Sequence, residues 1–150
     1  MRAGGAAGVL EAVAARGGSA ARVLRAAGLR SEDLADPDRF LDLERIVQLQ
    51  DAAAREAGDA CFGLHLGEGF DLGALGALSY AVLNAPRVRA ALRNLERYAR
   101  AHMLGAPVTL SVADGLARLG YLPEGIEPEA ARHHVESTAV IGHRILRRLA

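Results

Sequence analysis

Between residues 103 and 108 the hydrophobic pattern of this chain changes period, and no all-helical or all-strand fold accommodates both sides of the change. From Arg87 to Met103, the residues Val88, Ala91, Leu92, Leu95, Tyr98, Ala99 and His102 recur at three- and four-residue steps opposite Arg89, Arg93, Arg97 and Arg100. That spacing predicts one amphipathic helix. Beyond it, Val108-Thr-Leu-Ser-Val112 and Leu116-Ala-Arg-Leu-Gly-Tyr-Leu122 alternate in period two across Asp114-Gly115. An Asp-Gly pair between alternating runs favours a two-residue hairpin turn, because both residues tolerate positive φ. Helix and antiparallel hairpin therefore coexist, and the remaining segments set their proportion.

Those segments read as helices. Ser19 and Gly28 bracket about two turns as an N-cap and a glycine stop. Ser31 to Asp38 is an acidic turn with Pro37 and room for one helical turn after Ser31, and Asp42 opens a longer helix on which Ile46, Leu49, Ala53 and Ala57 share a face up to Gly58. Asp59 opens a short helix carrying Phe62, Leu64 and Leu66, closed by Gly67-Glu-Gly69. From Leu72 a further helix carries Leu75, Leu78, Val82 and Leu83. Gly76 and Ala77 would let a neighbour approach it closely, and Asn84 and Pro86 stop it. Pro128 and Glu129 suit the first turn of a last helix whose inner side is Val135, Thr138, Ile141, Gly142, Ile145 and Leu149. The expectation is a mostly helical α+β domain, with several short helices packed against the hairpin and the C-terminal helix. Residues 1–17 are expected to be flexible or weakly helical, with the first eight frayed, and residues 18–150 to form the domain. The last stripe runs to Ala150 without a cap, so the domain is expected to be incomplete at that end.

The chain's 150 residues suffice to bury roughly 70% of the surface an unfolded form exposes. With 51% hydrophobic and 24% charged residues it has a globular composition. Cys61 stands alone and no apolar run reaches eighteen residues, which points to a reducing cytoplasm and no membrane span. Eighteen basic residues balance eighteen acidic ones, so the basic excess that drives nucleic-acid binding is missing, and specific DNA binding by this chain alone is not expected. The charge is segregated. Residues 1–30 hold five Arg and one Glu, residues 31–71 three Arg and eleven acids, and residues 72–150 ten Arg and six acids. An acidic middle segment would suit a docking partner, and solvated helix faces give the same pattern.

Few constellations carry chemistry. Gly67-Glu-Gly69 lacks the third glycine of a dinucleotide fingerprint, since Leu72 stands there, and no strand precedes it. Cys61 and His65 lie one helical turn apart, but no orienting carboxylate is apparent for a thiolate–imidazole pair. His133 and His134 are adjacent and diverge by about 100° on a helix, so they cannot chelate one metal together. Glu129, His133 and Glu136 would share a face as an ion-pair ladder or a divalent-ion site. His102 ends the apolar stripe beside Tyr98 and Met103, a setting that suits a core histidine or an axial haem ligand. The arginine stripe beside it reads as a solvated face, with Glu96 paired to Arg100. No residue set carries catalysis, no cofactor or metal is implied, and the chain is not expected to be an enzyme.

The run Gly58-Asp59-Ala-Cys-Phe62-Gly63-Leu64-His-Leu66-Gly67 is followed by Leu75-Gly76-Ala-Leu78-Ser-Tyr80-Ala81-Val-Leu83, then Ala85-Pro86 and Ala90-Ala-Leu92-Arg-Asn-Leu95-Glu-Arg97-Tyr98. As a set this resembles the arabinose-binding-like N-terminal domain of AraC-type transcriptional regulators, over about residues 18 to 150. The resemblance implies a domain that senses a small-molecule effector or mediates self-association as a homodimer. It also implies that DNA is bound by a separate C-terminal pair of helix-turn-helix motifs, absent here. A free-standing interaction protein that pairs with intact relatives is the alternative, and a haem or gas sensor using His102 a more distant one. No ligand residue transfers from the motif. On chemistry alone, Phe62, Tyr80, Tyr98, His102 and Tyr121 combine apolar bodies with polar tips or pack near glycine-rich segments, and are expected to line an effector pocket.

Overall fold

The computed structural model describes residues 1–149, so the helix end anticipated at Ala150 lies outside the described residues. Among them are eight α-helices and one two-stranded antiparallel sheet, a mostly helical α+β fold. The helices are α1 (Val9–Ala14), α2 (Ala20–Ala26), α3 (Ser31–Ala35), α4 (Leu43–Ala57), α5 (Phe62–Gly69), α6 (Ala77–Leu83), α7 (Val88–His102) and α8 (Arg132–Leu149). Short 3-10 turns at Ala3–Ala6 and Leu72–Leu75 complete the helical part. Ser19 caps α2 through a bond from the Arg22 amide to its Oγ, and Gly28 and Gly58 take the left-handed conformation that ends a helix.

Two apolar cores result. One joins α1, α2, α4 and α5 around Val9, Val13, Ile46, Leu49 and Phe62. The other joins α6 and α7 to the C-terminal half of α8 around Phe70, Leu78, Val82, Leu95 and Ile145. Helix α5 lies unusually close to α8 because Gly63 and Gly67 face it: a methyl at Gly63 would sit 2.3 Å from the His133 carbonyl oxygen, and one at Gly67 would sit 2.7 Å from Val140 Cβ. Arg144 reaches back to cap α5, donating to the carbonyls of Gly67 and Phe70.

The start of the chain is built in, contrary to the expectation of fraying. The Met1 side chain is buried, and its amine donates to the Leu41 carbonyl while the Leu41 amide donates back to Met1. The amides of Arg2, Ala3 and Gly4 donate to the carbonyls of His102, Arg39 and Pro37. Glycine-rich sequence allows this close approach, since Gly4 and Gly5 have no side chain to collide with Ala74 and Met1. The helix expected from Leu72 breaks in two at Gly76, whose φ of 57° and ψ of −129° lie outside the helical region. It is backbone freedom that requires glycine there, and no neighbour crowds it.

Strands β1 (Val108–Ala113) and β2 (Leu116–Tyr121) pair from Val108 opposite Tyr121 to Ala113 opposite Leu116. Asp114 and Gly115 both have positive φ, as the turn requires. The hairpin is anchored at its base alone. Val108 packs into the second core, and the Leu110 amide donates to Glu96 of α7. Val112 and Leu122 are exposed, because no further strand among the described residues covers the outer half of the apolar face.

Candidate functional site

Between the two cores lies a cavity of about 420 Å³, within the range of small-molecule sites. Met1, Gly5 and Met103 close it on one side and Leu75, Leu78 and Leu95 on another. The base of the hairpin and the inner face of α8 complete the wall. Its seam position follows from the fold: the N-terminal residues, the end of α7 and β1 meet there without a large side chain to fill the gap.

Two polar devices border this space. His102, the last residue of α7, is 4% exposed, and its Nε2 has no hydrogen-bond partner. Burial, reinforced by the nearby positive charges of Arg2 and the N-terminus, lowers its pKa to about 4, so the imidazole is neutral at pH 7. Those two cations are themselves engaged, Arg2 with Asp38 at 2.8 Å and the amine with Leu41. The second device is a chain of three side chains. Gln50 Oε1 of α4 lies 3.0 Å from His134 Nδ1, and His134 Nε2 lies 2.5 Å from the Tyr121 hydroxyl. Since an amide oxygen only accepts, Nδ1 carries the hydrogen, and Nε2 accepts from Tyr121. Burial lowers His134 to about 4 and raises Tyr121 to about 12, the latter against a smaller opposite pull from Thr138, so both are neutral. The Tyr121 oxygen, which also meets the Thr138 hydroxyl, keeps one lone pair for the cavity. Ser137 Oγ is turned away, donating to the His134 carbonyl.

The five residues expected to line one pocket are dispersed. His102 and Tyr121 line the cavity. Tyr98, 42% exposed, borders a separate pocket of about 310 Å³ with Arg2, Pro37 and Asp38 on the other side of His102. Phe62 is wholly buried in the first core, with the Arg16 guanidinium 5.9 Å from its ring centre. Tyr80 is 73% exposed on α6, because α6 turns Leu78 and Val82 inward and its tyrosine out. Met1, Gly5, Phe70, His134 and Thr138 were missed. His134 had a signal. Stepping back from Ile145 by threes and fours gives Ile141, Thr138, Ser137, His134 and Ala131, but choosing apolar residues alone shifts the face toward Val135.

Other sequence candidates resolve differently. An orienting carboxylate for His65 does exist, for Asp59 Oδ2 lies 2.8 Å from its Nδ1 and 3.0 Å from Arg16, yet the Cys61 sulfur makes no hydrogen bond to this pair. Hydrogen bonds, from His65 first, hold the Asp59 carboxyl below its ordinary range. Glu129 precedes α8 and does not share a helix face with His133 and Glu136. His133 and Glu136 do face each other, with His133 Nδ1 3.3 Å from Glu136 Oε2, and Glu136 also pairs with Arg132, while the Gly63 amide donates to His133 Nδ1. Among the described residues no group of three His, Cys, Asp or Glu side chains is placed to hold a metal ion, and no helix is long and apolar enough to cross a membrane.

No curated protein matches the chain. A family model described as the arabinose-binding domain of AraC transcription regulator, N-terminal, matches residues 17–150.

Proposed function

Because the chain belongs to the family of N-terminal arabinose-binding domains of AraC transcription regulators, we propose that the cavity between its two cores is the seat of a small-molecule effector, and that the chain is the sensing and self-associating part of such a regulator. The observation that supports this reading most strongly is the apolar cavity itself, walled in part by the buried His102, whose Nε2 has no hydrogen-bond partner. An unpaired buried polar atom costs about 1–3 kcal/mol, a cost that a bound molecule would remove. Occupancy would also bear on the hairpin, since Leu119, Gly120 and Tyr121 form part of the wall. The exposed apolar tip of the same hairpin is the proposed self-association surface, and DNA binding belongs to a separate C-terminal domain in this reading. Nothing in the site calls for catalysis, and the domain acts by binding in a cytoplasmic regulator.

Gly142 allows a direct test. It lies on the cavity wall, and a methyl built there meets nothing within 4 Å. Gly142→Leu should fill cavity space and gain up to about 1 kcal/mol of helix propensity. The neutral dye N-phenyl-1-naphthylamine should brighten on binding the parent chain and fail to do so with Gly142→Leu, whose melting temperature stays equal or rises. Equal dye binding by both would remove the cavity from consideration as the effector seat.

A further inference from the structure

We propose that this cavity takes a neutral, largely apolar molecule carrying a single hydroxyl or carbonyl group that hydrogen-bonds to His102 Nε2, and that it rejects sugars and other polyols. The inference rests on the cavity being the effector seat. It departs from the sugar named in the family description.

Three observations carry it. First, the lining contains no Asp, Glu or Arg side chain among the described residues, only apolar groups interrupted by a few neutral polar ones. A buried anion would face no free guanidinium or amine, because the Arg2 guanidinium and the N-terminal amine near His102 are already bound to Asp38 and Leu41. Second, the polar atoms are mostly consumed. Both nitrogens of His134 are taken by Gln50 and Tyr121, and Ser137 donates to backbone. What remains is His102 Nε2, a Tyr121 lone pair, Thr138 and the imidazole of the exposed His143. A pentose presents several hydroxyls that each need a partner, and those left unpaired would cost about 1–3 kcal/mol apiece. Third, a neutral imidazole nitrogen offers one hydrogen bond, as donor or acceptor according to its tautomer, which a hydroxyl satisfies either way.

The test is competition against bound N-phenyl-1-naphthylamine on the 150-residue chain at neutral pH. The expected order is displacement by 1-decanol, displacement at least about tenfold weaker by decanoate, and none by millimolar L-arabinose. His102→Leu should weaken 1-decanol about tenfold while leaving n-decane unchanged, and His102→Gln, which keeps a hydrogen-bonding group, should restore most of the loss. Should His102→Leu fail to fold, the selectivity series on the parent chain decides alone. Stronger competition by arabinose or decanoate than by decanol would overturn the inference while leaving the cavity as the effector seat. Absence of dye binding, or dye binding that persists in Gly142→Leu, would remove both. A Soret band on adding haemin that vanishes in His102→Leu would replace the inference with the haem reading.

Discussion

His102 and His134 tie stability to pH. Burial holds both at about 4, below the ordinary histidine value near 6.5, so the unfolded chain binds more protons between those limits. The two residues' contribution is therefore fully present above about 6.5 and is lost as pH falls toward 4, by about 3 kcal/mol for each histidine at most. Glu56 does not confuse this window. Its bonds from the Arg22 side chain and the Ser19 amide hold it at about 2, so its contribution is lost only as pH falls below the usual carboxylate range. The urea midpoint should drop between pH 7 and pH 5, and His102→Gln should remove about one proton from that slope. A flat midpoint over this interval would mean that neither imidazole is buried in solution. A second residue-scale expectation concerns the close approach of α5 and α8. Gly67→Ala places a methyl against Val140 and should cost about 1–3 kcal/mol. Gly69→Ala, two residues on, meets nothing within 4 Å and should be neutral or slightly stabilising. Similar melting temperatures for the two variants would show that the helices are not in contact. Neither glycine's role was legible beforehand. The sequence shows a short helix rich in glycine, but which glycine faces a partner depends on a helix some seventy residues away.

At the scale of elements, periodicity located α7 and the hairpin closely. The Arg87–Met103 stripe forms α7, and Asp114-Gly115 forms the turn between β1 and β2. What periodicity could not show was how far the hairpin's apolar face is covered. Alternation says which residues share a side, whereas burial depends on what packs against it, and here only the base meets α7. In α8 the pattern was read from apolar residues alone, and the buried side turned out to include His134 and Ser137. Polar residues on an inner face are invisible to a hydrophobic count until their partners, here Gln50 and Tyr121, are known. The uncovered hairpin tip leads to a prediction. Val112 and Leu116 are more than half exposed at the end of a two-stranded ribbon with free edges, an arrangement that favours pairing with a second copy. Sedimentation velocity at micromolar concentration should show a dimer that Val112→Glu combined with Leu116→Glu converts to monomer at unchanged melting temperature. A parent chain that sediments as a monomer would contradict self-association through the hairpin.

Across the whole molecule, the two cores share few side chains, and the cavity is where they fail to close on each other. Its wall draws on the first residues of the chain, the end of α7, the hairpin and α8, so no local motif announces it. His102 and Tyr121 were recognisable as polar tips on apolar faces. Met1 and Gly5 were not, because their approach is created by backbone bonds between the N-terminal residues, the segment 37–41 and the end of α7. Such an arrangement suits a sensor: a molecule that bridges the seam would bind α8 to the hairpin and so change what the hairpin tip presents. The most direct measurement is an amide chemical-shift map of the chain, by two-dimensional NMR, as 1-decanol is added. The account predicts shifts centred on the cavity wall, among them Gly5, His102, Met103, Gly120 and the stretch from Ser137 to Gly142, saturating together at one equivalent. Shifts centred on the exposed tip around Val112 and Leu116, on the arginine face of α7, or nowhere at all, would contradict it.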